Sequence, residues 1–127
     1  MSIRQDRYTL AEEFVRAFCK GNLERIERLL TEDFRFRGPL LAADSRAEYL
    51  EALAAEPPSA EGRYGLLGRS ADGDGVRLVY RYHKPGASFR IEQSCEFRGS
   101  RIRAMELDFD PLERSERVER SSRDDRR

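Results

Sequence analysis

The chain has 127 residues, enough for one ordinary domain and too few for two. Lys plus Arg and Asp plus Glu each number 24, so the formal charge is zero, which argues against nucleic-acid binding through a broad basic surface. No apolar run reaches the roughly 18 residues of a membrane-spanning helix, and Arg4, Asp6 and Arg7 leave no apolar stretch for a signal peptide. The expectation is a cytoplasmic protein that binds neither membrane nor nucleic acid.

The first third reads as helix, helix, strand, helix. Thr9 with Glu12 has the spacing of a capping box. Behind it Leu10, Phe14, Ala17 and Phe18 share a helical face. Gly21 stops that helix and Asn22 caps the next, whose stripe is Leu23, Ile26, Leu29 and Leu30. Residues 33 to 38 alternate, with Phe34 and Phe36 on one side and Arg35 and Arg37 on the other, as in a half-buried strand ended by Gly38-Pro39. Ser45 with Glu48 is a second capping box. It opens a third helix that buries Tyr49, Leu50 and Leu53 and stops before Pro57-Pro58.

The remainder reads as a strand meander with turns at Gly73-Asp74-Gly75, Pro85-Gly86 and Gly99-Ser100. A first strand is expected over about residues 63 to 69. Val76, Leu78, Tyr80 and Tyr82 share a face, as do Phe89, Ile91, Gln93, Cys95 and Phe97, and Met105, Leu107 and Phe109. Such alternation implies an antiparallel sheet with one apolar and one wet face. Three N-terminal helices against a sheet of four to five antiparallel strands make an α+β domain over residues 1–112. Residues 113–127 hold six Arg, five acids and Val118 as the one apolar residue, and read as a disordered charged tail.

The run Ala11-Glu-Glu-Phe-Val-Arg-Ala-Phe-Cys-Lys-Gly-Asn-Leu-Glu-Arg-Ile, followed by Leu30-Thr-Glu-Asp-Phe-Arg-Phe-Arg-Gly-Pro, resembles the nuclear transport factor 2-like superfamily. Its members include SnoaL-like polyketide cyclases and ketosteroid isomerases. The resemblance spans about residues 8 to 110. It implies a cone-shaped curved sheet over the helices, an apolar pocket at the open end, and a homodimer. The fold hosts enzymes, carriers and interaction modules, so the resemblance informs fold more than function.

Carrying the isomerase residues across gives a negative result. The position of the carboxylate base matches Gly38. The tyrosine donor matches Phe14, and the protonated acid matches about Gln93. Proton abstraction beside a carbonyl needs a base within hydrogen-bond reach, so isomerase activity of that type is not expected. The limonene epoxide hydrolase pattern finds Arg90, Glu92 and Asp108 or Asp110. Alternation places these opposite the apolar face, where Arg90, Glu92, Glu96 and Arg98 would pair with Arg77 and Arg81. Scytalone dehydratase-like chemistry uses a histidine pair, and His83 is the one histidine, which also excludes a multi-histidine metal site. Asp44 is the remaining acid near the mouth, and it also suits the start of a helix. No catalytic residue is assigned, and no motif for a cofactor or a metal occurs.

The expected pocket residues are Phe14, Phe18, Phe36, Tyr49, Leu53, Tyr64, Leu78, Tyr80, Gln93, Cys95, Phe97, Met105, Leu107 and Phe109. Tyr82 adds a further hydroxyl on the same face. The same residues could instead fill a core, with Gln93 satisfied by a tyrosine hydroxyl or a buried water. Cys19 and Cys95 read as buried thiols without disulfide or metal spacing. Two functional readings follow. One is a SnoaL-like domain binding a small apolar molecule, either as a carrier or as a cyclase- or isomerase-like enzyme without the usual carboxylate base. The other is a non-catalytic dimeric interaction module.

Overall fold

The computed structural model describes residues 3–112, with side chains from Asp6 onward. The tail expected over residues 113–127 lies outside the described residues. Helix α1 runs Ile3–Cys19, α2 Leu23–Leu29 and α3 Arg46–Ala55. Gly21 stands at φ 66° between α1 and α2, a conformation that costs glycine little. Asn22 then caps α2, its side chain accepting from the Arg25 N–H at 3.1 Å. Ser45 caps α3 in the same way from the Glu48 N–H at 3.0 Å, while the Glu48 carboxylate accepts from the Asp44 N–H at 2.8 Å.

The first capping box is a correction. Thr9 and Glu12 lie inside α1, which begins at Ile3. The added turns are held by polar side chains that hydropathy does not register. The Arg7 guanidinium sits 5.5 Å from the Phe97 ring centroid, and Arg69 covers the Tyr8 ring at 4.6 Å.

Six strands form one sheet in the order β2-β1-β6-β5-β4-β3. They are β1 Leu30–Arg37, β2 Ala42–Ala43, β3 Arg63–Asp72, β4 Gly75–Lys84, β5 Ala87–Arg98 and β6 Arg101–Pro111. The strands from β3 to β6 form the expected antiparallel meander, but β1 pairs parallel with β6. The sheet is therefore mixed, and it has six strands rather than four or five. Strand β1 also starts directly from the end of α2 at Leu30, not at Asp33. Register shifts at Leu30/Arg35, Leu66/Gly68 and Glu96/Phe97 bend the strands, and the sheet is curved and unclosed.

The alternation holds where it positions the core. Val76, Leu78, Tyr80 and Tyr82 are buried on β4, facing the helices with Ile91, Gln93 and Cys95 of β5. Tyr49 of α3 is the hub of the contact with β1. Its ring centroid lies 4.9 Å from Phe36, 5.2 Å from Phe34 and 6.4 Å from Phe14. Such pairs each contribute about 0.5–1.5 kcal/mol beyond area burial. Phe18 meets Tyr82 edge-on at 5.8 Å and ties α1 to β4.

Candidate functional site

Between the helices and one end of the sheet the aromatic side chains touch at their edges but do not fill the space. They leave a cavity of about 300 Å³. Phe14, Val15 and Phe18 of α1 and Tyr49 and Leu53 of α3 form its helical side. Phe36 and residues Gly38, Pro39, Leu40 and Leu41 close one flank. Tyr80, Tyr82 and Lys84 of β4, Phe89, Ile91 and Gln93 of β5, and Leu107 and Phe109 of β6 supply the sheet wall.

Polar groups inside are few. Gln93 is fully buried, and the Tyr80 hydroxyl donates to its Oε1 at 2.7 Å. Among the described residues its Nε2 finds only the Cys95 sulfur at 3.6 Å, a weak acceptor. Among the described residues no partner accepts from or donates to the Tyr49 hydroxyl. Burial pushes the Tyr49 and Tyr80 hydroxyls well above the usual phenol range, so both stay protonated donors.

Of the expected pocket residues, Phe14, Phe18, Phe36, Tyr49, Leu53, Tyr80, Gln93, Leu107 and Phe109 come together around this cavity. The other five do not. Leu78 is packed in the core. Tyr64 donates to Glu12 at 2.7 Å and accepts from Arg16 at 3.3 Å, fastening β3 to α1. Cys95, Phe97 and Met105 border a separate charged groove beside the β3–β4 turn, with Arg35, Asp72, Glu96 and Arg103. That groove is larger, about 590 Å³, but its wall is lined with charged side chains and suits no apolar molecule.

Sequence reasoning missed Lys84, Val15 and the 38–41 loop as wall residues. It placed Phe89 and Ile91 on the apolar face without adding them to the pocket. Lys84 was findable, because it continues the phase of Val76, Leu78, Tyr80 and Tyr82. The loop has no periodicity, and within it only Gly38 was marked, through its match to the isomerase base position.

The three positions matched to isomerase residues, Phe14, Gly38 and Gln93, all reach this cavity. None is ionisable. Space also opposes a base at residue 38, because a Cβ on Gly38 would stand 3.0 Å from Phe36 Cε2 and 3.2 Å from its Cζ. Asp44 lies outside the wall, exposed and paired with Arg37 at 2.7 Å, which holds its carboxyl below the usual range.

The other candidates lie away from the cavity. His83 Nδ1 is 2.8 Å from Ser88 Oγ, on the opposite phase from Tyr82. Glu92 bonds Arg90 at 2.9 Å and pairs with Arg77 on the outer face, and these contacts hold its carboxyl down. Glu96 pairs with Arg103 at 2.8 Å and Arg98 with Asp33 at 3.1 Å, rather than with Arg77 or Arg81. Among the described residues no group of three or more His, Cys, Asp or Glu could hold a metal ion, and no helix is long and apolar enough to cross a membrane.

Comparison with known proteins agrees with this architecture. An NTF2-like protein of unknown function from Cytophaga hutchinsonii superposes with a TM-score of 0.68 at 20% identity, covering 82% of this chain and 89% of that one. A protein from Kribbella flavida, provisionally assigned as a ketosteroid isomerase, gives 0.70 at 17% identity over 84% and 79%. AclR from Streptomyces galilaeus, a proposed hydroxylase, gives 0.65 at 15% over 84% and 90%. At these identities the likeness concerns the fold. No curated protein matches the chain. The family model for the SnoaL-like domain matches residues 11–105, and the chain belongs to that family, within the NTF2-like group of folds.

Proposed function

We propose that this domain binds a small, largely apolar molecule in the cavity beneath α1 and α3. The observation that carries this reading is an aromatic-walled space of about 300 Å³ whose buried polar side chain, Gln93, is fixed by Tyr80. A cavity of about 150 Å³ accommodates benzene, so this one suits about twelve non-hydrogen atoms, the size of two fused rings. At about −0.5 kcal/mol per atom the expected affinity is on the order of tens of micromolar.

Binding is better supported than proton abstraction, because no carboxylate lines the wall. Any turnover would rest on exclusion of water and on donors from Gln93 and Tyr49. The alternative, a dimeric interaction module using the outer sheet face, has less support. That face carries charges satisfied within one chain, such as Arg77–Glu92–Arg90 and Glu96–Arg103.

The test is titration with 2-naphthol, followed by the probe's own fluorescence, which a chain without tryptophan leaves free of background. Binding to the native protein and loss of it in a folded Leu107→Trp variant is the expected result. Equal binding by both proteins, or none by the native one, would overturn the reading.

A further inference from the structure

We infer that the ligand carries an anionic group, in the simplest case a carboxylate, held at the cavity mouth by Lys84. This rests on the binding reading above and adds the ligand's chemical class. Among the described residues Lys84 is the one charged side chain in the cavity's wall. Its position is set by the sheet, because β4 turns every second residue inward and Lys84 follows Tyr82 in that phase. The residue lies at the end of the strand, where the wall gives way to solvent, and it is exposed.

The ammonium has no carboxylate partner among the described residues. Glu61 lines a small surface pocket with it, yet no ion pair forms within 4.0 Å. A lysine in this position lays its aliphatic stem along the apolar rim and keeps its charge in water. A ligand seated with its ring system inside and its carboxylate at the rim would pair with that charge without burying it, so the desolvation cost that defeats buried ion pairs is avoided. Other walls of the cavity are apolar or carry only neutral donors, which would give an anion no comparable site deeper in. The ligand class is thus an aryl or branched carboxylic acid of about twelve non-hydrogen atoms in its apolar body.

The experiment compares 2-naphthoate with methyl 2-naphthoate on the native protein, Lys84→Gln and Lys84→Glu. The readout is the ratio of the two affinities. An exposed ion pair predicts that Lys84→Gln shifts this ratio about three- to fivefold toward the ester and that Lys84→Glu shifts it further. The shift shrinks in about 1 M salt. A ratio unchanged by both substitutions overturns the assignment while leaving the cavity as a binding site. Failure of the ester to bind the native protein overturns the binding reading and this inference with it.

Discussion

The Tyr80 hydroxyl donates to Gln93 Oε1 at 2.7 Å across neighbouring strands, and both residues are buried. That bond turns the amide so that its acceptor is used inside the protein, while its N–H end meets the Cys95 sulfur at 3.6 Å. Removing either partner strands a buried polar group, at a cost of about 1–3 kcal/mol. Tyr80→Phe and Gln93→Leu should each lower stability in urea denaturation by that order. The double variant should cost less than the sum, since it leaves nothing unpaired. Strict additivity would show that the two residues do not act as a pair.

Gly38 and Phe36 form the second constraint on the cavity. A methyl group at residue 38 would press on the Phe36 ring at 3.0 Å, and that ring also packs on Tyr49. Gly38→Ala should therefore displace the ring, destabilise the fold by about 1–3 kcal/mol and weaken 2-naphthol binding. Adding Phe36→Leu should recover part of the stability. A single variant as stable as the native protein would mean that the flank is looser than its contacts indicate.

Much of this was legible in the sequence, for a definable reason. Residues 76–82 and 89–97 alternate cleanly, so period two fixed which side chains face the helices, and Gln93 stood out as the polar residue on an apolar face. Their depth along the sheet was not legible. Alternation assigns a face but not a position along it, so Leu78, Cys95 and Met105 were grouped with cavity residues that lie nearer the mouth. The parallel pairing of β1 with β6 also left no local trace, because it joins segments about 70 residues apart. The start of α1 was misplaced because cation–π contacts, not apolar periodicity, hold its first turns.

Burial also gives the fold an alkaline limit. Desolvation pushes the Cys95 thiol from its ordinary 9.0 up to about 12, and the Tyr49 and Tyr80 hydroxyls rise as well. A group whose pKa is raised on folding contributes stability that is complete below its unfolded pKa and is lost as pH climbs toward the folded one. For Cys95 that window runs from about 9 to about 12. Stability should be level near pH 8 and then fall by about 1.4 kcal/mol per pH unit for each such group titrating in the unfolded chain. Urea midpoints across this range check the decline, and Cys95→Ala should make its first part shallower. A midpoint constant to about pH 11 would contradict the burial of these groups.

Gly75 is where the smallest change should do most harm. A Cβ there would run into the Cys95 carbonyl oxygen, a backbone atom that cannot swing aside. Gly75→Ala should break the first pairing of β4 with β5 and cost several kcal/mol, about as much as a severe core substitution. Gly73→Ala meets no atom but carries the strain of φ 63°, so its cost should be smaller, about 1 kcal/mol. Thermal melts of the two variants rank them, and the reverse order would place the constraint in the turn instead of in the strand contact.

The existence of a ligand site under α1 and α3 is tested most directly by a crystal structure with 6-bromo-2-naphthoate, the bromine located by its anomalous signal. The expected result is a bromine inside the cavity on the Gln93 side, with the ring between Phe14 and Leu107 and the carboxylate toward Lys84. A bromine bound elsewhere, or a cavity filled by the protein's own side chains, would contradict a ligand site there.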